Sequence, residues 1–164
     1  MTKSLRQSAN VSEARGLQIE SPLGPISLFE TDGFLTSLDL QPLAISSDPT
    51  PLLQRAAAQL NEYFNRTRRT FDLPLRPFGT EFQRTAWAVL ELIPYGQTLS
   101  YKAQAAQMGQ PLAQRAVGQA NGENPLPILI PCHRVIRSNG ELGGYAGGRE
   151  IKQFLINLEA SFGT

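Results

Sequence analysis

The sequence predicts an α/β protein in which a small N-terminal β-sheet with one covering helix is packed on a mostly α-helical C-terminal domain containing a helix-turn-helix. Three observations point there. Short β-type segments broken by Gly-Pro and Asp-Gly are confined to residues 17 to 40, helical periodicity governs most of the chain after residue 50, and the Pro-rich stretch Leu73-Pro-Leu-Arg-Pro77 separates two groups of elements as a linker. At 164 residues the chain suits one compact unit or two small, tightly packed domains, divided as 1–77 and 78–164.

The β-type segments are Leu17-Gln-Ile-Glu20, Ile26-Ser-Leu-Phe29 and Phe34-Leu-Thr-Ser-Leu-Asp-Leu40, punctuated by Gly24-Pro25 and by Asp32-Gly33, a hairpin signal. Thr50-Pro51 reads as an N-cap with Pro at the first helical position, opening a helix over residues 52–64. The basic run Arg66-Thr-Arg-Arg69 then reads as a solvated helix end. Thr80 and Gln83 form a capping-box pattern, after which Phe82, Ala86, Val89, Leu90 and Ile93 recur at helical spacing until Pro94-Tyr-Gly96 stops them. Ser100 caps a short helix ending near Gly109, and Pro111 opens another running to about Asn121; two short helices across a Gly-containing turn make a helix-turn-helix pattern. The last helix sets Ile151, Phe154, Leu155 and Leu158 in a core-facing stripe. No internal repeat or low-complexity tract interrupts this order.

Composition narrows the function classes. No stretch reaches the roughly 18 apolar residues of a membrane span, and Met1-Thr-Lys-Ser-Leu-Arg-Gln lacks the apolar core of a signal peptide, so a soluble, cytoplasmic protein is expected. The formal net charge of +1 supplies no global basic field. Locally, between residues 100 and 140, Lys102, Arg115, Arg134 and Arg137 face only Glu123, an excess suited to modest phosphate attraction.

The chain's only cysteine and only histidine stand side by side in Pro131-Cys132-His133-Arg134-Val135, after the apolar run Ile128-Leu129-Ile130. A lone Cys has no intramolecular disulfide partner and cannot anchor a cysteine-rich metal site, so a reactive role would be that of a thiolate nucleophile, at home in a reducing compartment. Isolated Cys-His neighbours are more often a buried Cys beside a solvent-facing His. In an extended segment the two side chains point to opposite faces, which excludes the direct hydrogen bond of an ordinary Cys-His dyad and calls for a bridging water or a backbone bend.

The surrounding run Asn121-Gly-Glu-Asn-Pro-Leu-Pro-Ile-Leu-Ile-Pro-Cys-His-Arg-Val135, followed by Gly143-Gly-Tyr-Ala-Gly-Gly148, resembles the active site of O6-alkylguanine-DNA alkyltransferases, repair proteins that accept an alkyl group on one Cys. The resemblance extends through Phe78-Gly-Thr-Glu-Phe-Gln83, Ile93-Pro-Tyr-Gly96, Ser100-Tyr101 and Glu159, and more loosely through Ser21-Pro-Leu-Gly-Pro25 and Phe71-Asp-Leu-Pro-Leu75. It implies that Cys132 takes the alkyl group irreversibly, since a thioether is a poor leaving group, so that one molecule repairs one lesion. It further implies that a water links Cys132 to His133, that Glu159 holds the imidazole, that Asn124 braces the site, and that Tyr101, also a DNA contact, supports proton delivery to N3 of the departing guanine.

The target atom lies inside the duplex, so the resemblance implies nucleotide extrusion into a pocket. There Gly143, Gly144, Gly147 and Gly148 let a loop approach the base, Tyr145 forms an apolar wall, Ala146 offers a backbone N–H, and Pro127 and Val135 line the pocket. Arg115 is the implied finger that replaces the flipped nucleotide, while Ala116, Gly118 and Ala120 let the helix approach the DNA backbone in the minor groove. The implied partner is double-stranded DNA containing alkylated bases, with no membrane, no cofactor and no metal, since a single Cys and a single His cannot form the zinc site of some relatives. A monomer is expected in solution. Preferred alkyl size, activity on O4-alkylthymine and cooperative binding along DNA stay open. Two competing readings are an alkyltransferase-like lesion binder, which lacks the Cys, and a Cys-His hydrolase, which needs a direct dyad and repeated turnover.

Overall fold

The protein is described here by a computed structural model covering residues 14–45 and 48–160. These residues fall into two compact units, the first ending at Phe78 and the second opening at Gly79.

In the first unit, β1 (Arg15–Ile19), β2 (Ile26–Thr31) and β3 (Phe34–Asp39) form an antiparallel sheet in that spatial order. Asp32 at φ 55° and Gly33 at φ 82° make the left-handed pair that a two-residue hairpin needs to match strand twist. Glu30, buried beside a bulge, accepts a hydrogen bond from Gly33 N at 3.1 Å and fixes the turn. Helix α1 (Pro51–Phe64) starts at Thr50, whose hydroxyl accepts from Leu53 N at 3.1 Å, and lays Leu53, Ala56, Leu60 and Tyr63 across the three strands. The stretch 73–77 is not a free linker. Leu35 N donates to Pro74 O and Arg76 N to Leu35 O, both at 2.9 Å, so Pro74–Arg76 pairs with the open edge of β3 at the residues whose backbone groups would otherwise be unsatisfied. Beyond α1, Arg66 turns the chain at φ 62° and Arg68 pairs with Glu62 at 2.6 Å on the surface.

The second unit opens with α2 (Glu81–Leu90), held by the full capping box between Thr80 and Gln83. Trp87, buried, donates its indole N–H to Ala120 O at 2.8 Å and ties α2 to the helix-turn-helix. That motif is α3 (Tyr101–Gln107) and α4 (Gln114–Gly122). Ser100 caps α3, which ends in a Schellman motif: Gly109 at φ 75°, Gly109 N donating to Ala106 O and Gln110 N to Ala105 O, each at 3.0 Å. Helix α4 begins three residues later than Pro111 suggests, because Gln110 to Ala113 close a separate turn through Ala113 N and Gln110 O at 2.9 Å. A reciprocal pair of amide bonds, Gln104 Nε2 to Asn121 Oδ1 at 3.0 Å and Asn121 Nδ2 to Gln104 Oε1 at 2.8 Å, locks the two helices inside the core.

A two-strand parallel pair, β4 (Leu99–Ser100) and β5 (Val135–Ile136), clips the Cys132 segment to the start of α3. Sequence periodicity is blind to so short a pairing. The last helix, α5 (Arg149–Ala160), turns a different stripe inward than its apolar residues suggest. Leu155 and Leu158 are buried, but so are Lys152 and Glu159, whereas Phe154 is 38% exposed. The helix has rotated these two charged residues into the interior at the expense of one phenyl ring.

Candidate active site

The approach to Cys132 is not extended. Ile128 adopts φ 75°, a strained conformation for a buried β-branched residue that costs of order 1–3 kcal/mol, and Ile130 N bonds back to Leu126 O at 2.8 Å. Pro131, at φ −79° and ψ 67°, then makes an inverse γ-turn in which Cys132 N donates to Ile130 O at 2.8 Å, and Cys132–Arg134 form one 3-10 turn. The strand geometry expected from the apolar run is thus replaced by a backbone bend. Asn124 holds the bend: its Nδ2 donates to Ile130 O at 2.8 Å and its Oδ1 accepts from Leu126 N at 2.9 Å, which also brings its amide near enough to favour a Cys132 thiolate.

His133 is fully buried and directs Nε2 to Glu159 Oε2 at 2.6 Å. The same carboxylate receives Arg134 Nε at 2.9 Å and Nη2 at 3.1 Å, with Gly96 N at 3.4 Å, while Arg134 Nη1 donates to Ile93 O at 2.7 Å. Burial alone would raise the Glu159 pKa. The bonds and charges of His133 and Arg134 outweigh it and hold the carboxyl down to about 2. Burial lowers the His133 pKa and the Arg134 charge adds to this, against the pull of Glu159, so the imidazole rests neutral at physiological pH. Because the ionised Glu159 can only accept, Nε2 carries the proton and Nδ1 is the free lone pair. That Nδ1 is buried and has no protein partner among the described residues. Burial also raises the Cys132 pKa, opposed by Asn124 and by the Lys152 charge, so the thiol rests protonated.

Lys152 was not singled out by sequence. Fully buried, its ammonium donates to Leu142 O, to Gly144 O at 3.1 Å and to Tyr101 Oη at 3.4 Å. Desolvation pushes its pKa down to about 8, with the Cys132 charge opposing that fall. Arg134 also changes role: counted in sequence as local surface charge, it is 8% exposed and committed to Glu159. The spacing Lys152, Leu155, Glu159 on one helix face is the signal that could have found the lysine.

A pocket of about 880 Å³ opens over Cys132 and is shared by Tyr101, Arg115, Gly118, Gly143, Gly144, Tyr145 and Ala146. Arg115 and Gly118 are three residues apart on one face of α4. Four residues expected at the pocket lie outside its lining, Gly148 among them. Val135 pairs with Leu99 in β5 and is fully buried in the core, Pro127 is buried in the bridge to Ile130, and Gly147 falls beyond the part of the loop that faces Cys132. Ala116 lines a separate groove with Phe82 and Gln83, since a one-residue step from Arg115 rotates it about 100° around the helix. Tyr145 brings a hydroxyl as well as a ring: its oxygen is buried without a partner among the described residues, and burial followed by the charges of Cys132 and Glu159 raises its pKa well above the usual phenol range. Among the described residues no cluster of three His, Cys, Asp or Glu side chains could hold a metal ion, and no helix is long and apolar enough to cross a membrane.

Gly143 is fixed by its surroundings. At φ 75°, its added Cβ would sit 2.7 Å from Tyr101 Oη and 2.9 Å from Cε2. Gly143→Ala is expected to cost about 1–2 kcal/mol from the left-handed backbone alone and to push Tyr101 off Lys152. Thermal unfolding reports the first effect, and the rate of Cys132 alkylation by a free alkylated base reports the second.

Two family models cover most of the chain: the 6-O-methylguanine DNA methyltransferase ribonuclease-like domain over residues 18–77 and the DNA binding domain of the same family over residues 81–161. The chain belongs to this family. Among similar family members, the methylated-DNA–protein-cysteine methyltransferase of Methanosarcina barkeri is 47% identical over 148 residues, spanning 86% of this chain and 94% of the relative. The constitutive enzyme of that name from Bacillus subtilis is 47% identical over 151 residues, spanning 85% and 92%. Among solved structures, Mycobacterium tuberculosis O6-methylguanine methyltransferase aligns with a TM-score of 0.83 at 41% identity, covering 92% of this chain and 95% of that one. The Mycobacterium tuberculosis OGT in complex with DNA gives 0.82 at 44% identity, covering 90% and 92%.

Proposed function

We propose that this protein repairs alkylated DNA by moving the alkyl group of O6-alkylguanine onto Cys132, once per molecule. The observation that carries the proposal is a lone thiol lining a pocket with room for a nucleobase, backed by a neutral His133 whose outer nitrogen is bound to Glu159. A protonated thiol needs a base to become a nucleophile.

In this reading the Cys132 proton passes, through a bridging water, to His133 Nδ1, and the resulting imidazolium is stabilised by Glu159. Sulfur attacks the alkyl carbon in line, forming S–C as C–O6 breaks, and the bonding pair leaves on guanine. Tyr101, whose pKa is raised by burial and so keeps its proton at neutral pH, gives that proton to guanine N3 and regains one from the site's imidazolium or from solvent. Lys152 supports both anions in turn, thiolate and phenolate, because its charge is buried beside them with no carboxylate of its own. Attack on O4-alkylthymine would use the same thiol and the same pocket. Double-stranded DNA is the partner, with Arg115 filling the gap left by the extruded nucleotide.

Intact-protein mass after incubation with duplex DNA carrying one O6-methylguanine tests the proposal. A single added methyl group is expected, rising to one per protein and no further. No adduct, or product formed well beyond one per protein, refutes it. The finger role has its own expected result: Arg115→Ala lowers the rate on duplex DNA at least ten-fold more than the rate on free O6-benzylguanine, roughly the few kcal/mol of holding a base unstacked. Equal losses on the two substrates mean that Arg115 supports the pocket.

A further inference from the structure

We propose that Arg137 is a phosphate clamp at the pocket rim, holding the DNA backbone beside the extruded nucleotide; the proposal rests on the DNA alkyl-transfer reading above. The pocket lining contains no Asp or Glu, and its two arginines, Arg115 and Arg137, are both exposed. An alkylated guanine is neutral and needs no cation. The anions that accompany it are its phosphates, and an unopposed guanidinium at the mouth is the side chain that reads them.

The neighbouring cations are already committed. Arg134 is buried on Glu159, and Lys152 is buried on two loop carbonyls and Tyr101. Arg115, one turn of α4 before Gly118, is assigned in the reading above to replacing the base. Arg137 has no carboxylate among the described residues within ion-pair distance.

Its backbone is held firmly in place. Ile136 pairs with Ser100 at the start of α3, and Arg137 N donates to Glu141 O at 2.8 Å. Gly140 N then returns to Arg137 O at 2.9 Å, with Gly140 at φ 90°, and Asn139 Oδ1 accepts from Glu141 N at 3.0 Å. The turn therefore presents Arg137, Ser138 and Asn139 together at the pocket edge, one cation with two polar neighbours. The guanidinium also lies close enough to lower the pKa of both Tyr101 and Lys152, in keeping with its place in the pocket lining.

The test uses the full chain carrying Cys132→Ser, so that binding is read without transfer, and a duplex with one O6-methylguanine. Affinity is measured over a range of salt concentrations. Each neutralised phosphate contributes about 0.9 to the slope of log affinity against log salt. Arg137→Ala is expected to reduce that slope by about one and to weaken binding roughly ten-fold at 0.1 M salt, whereas Arg137→Lys keeps the slope. In the Cys132 protein, Arg137→Ala is expected to slow transfer from duplex DNA more than transfer from free O6-benzylguanine. An unchanged slope overturns the clamp, as does equal slowing on both substrates. If unsubstituted protein takes up no methyl group, the function reading fails by itself, and the slope still decides whether Arg137 meets a phosphate.

Discussion

Cys132→Ser is expected to abolish alkyl transfer, by on the order of 10⁴-fold or more, while binding of alkylated duplex DNA stays within about two-fold. The side chain is 6% exposed and a hydroxyl fits the space of a thiol, so neither the pocket nor the Asn124 brace is disturbed. What is lost is nucleophilicity: an alcohol ionises far above neutral pH, and His133 is too weak a base to make up the difference. Peptide mapping of the reacted parent protein should place the alkyl group on Cys132, and gel or fluorescence titration should show the Ser variant still bound. Undiminished transfer by that variant, or an adduct elsewhere, would falsify the mechanism.

Glu159→Gln carries the second large effect, and it acts on stability and chemistry together. The carboxylate is 4% exposed and is shared by His133 and Arg134, so removing its charge leaves a buried guanidinium without a counter-ion, a loss of about 3–5 kcal/mol. Its pKa falls from 4.5 to about 2 on folding. A carboxyl depressed in this way stabilises the folded state fully above its unfolded value. That contribution, roughly 3 kcal/mol, is lost as pH drops from about 4.5 towards 2. Urea unfolding of parent and variant should therefore differ most at neutral pH and converge under acid. Transfer should slow as well, since the imidazolium formed when His133 takes the thiol proton loses its anion, and raising the pH should restore part of the rate because hydroxide then ionises Cys132. Superimposed pH-rate profiles from two folded proteins would reduce Glu159 to a structural residue.

Much of the architecture was legible because local signals were strong: Asp32-Gly33 for the hairpin, Thr50-Pro51 and the Thr80/Gln83 box for helix starts, and Ser100 with Gly109 around α3. The errors share one cause, tertiary partners that no local window contains. Pro74–Arg76 reads as a spacer until Leu35 is beside it, and Phe154 reads as core until Lys152 and Glu159 have taken the inward face. At the site, residue types were informative where chemistry restricts them, as for Cys132 and His133. Their geometry was hidden in backbone dihedrals, since an Ile at φ 75° goes against the preference of its side chain and a γ-turn at Pro131 leaves no periodic signal. Arg134 and Lys152 were misjudged or missed because a buried cation looks the same in sequence as a solvated one until its acceptors are known.

The amide pair between Gln104 and Asn121 bears on how the Arg115 wedge proposed above would work. Opening a base stack means pushing against it, and the push returns through α4 to whatever that helix rests on. Gln104 also donates to Ala86 O at 3.1 Å, and Trp87 to Ala120 O, so α2, α3 and α4 are pinned to one another by directional bonds in addition to apolar contact. Apolar side chains of similar shape could fill the same volume, but they would let the helices slide. With the amides in place the three helices would recoil as a single block under the load of the proposed wedge, and the displacement would be spent on the DNA.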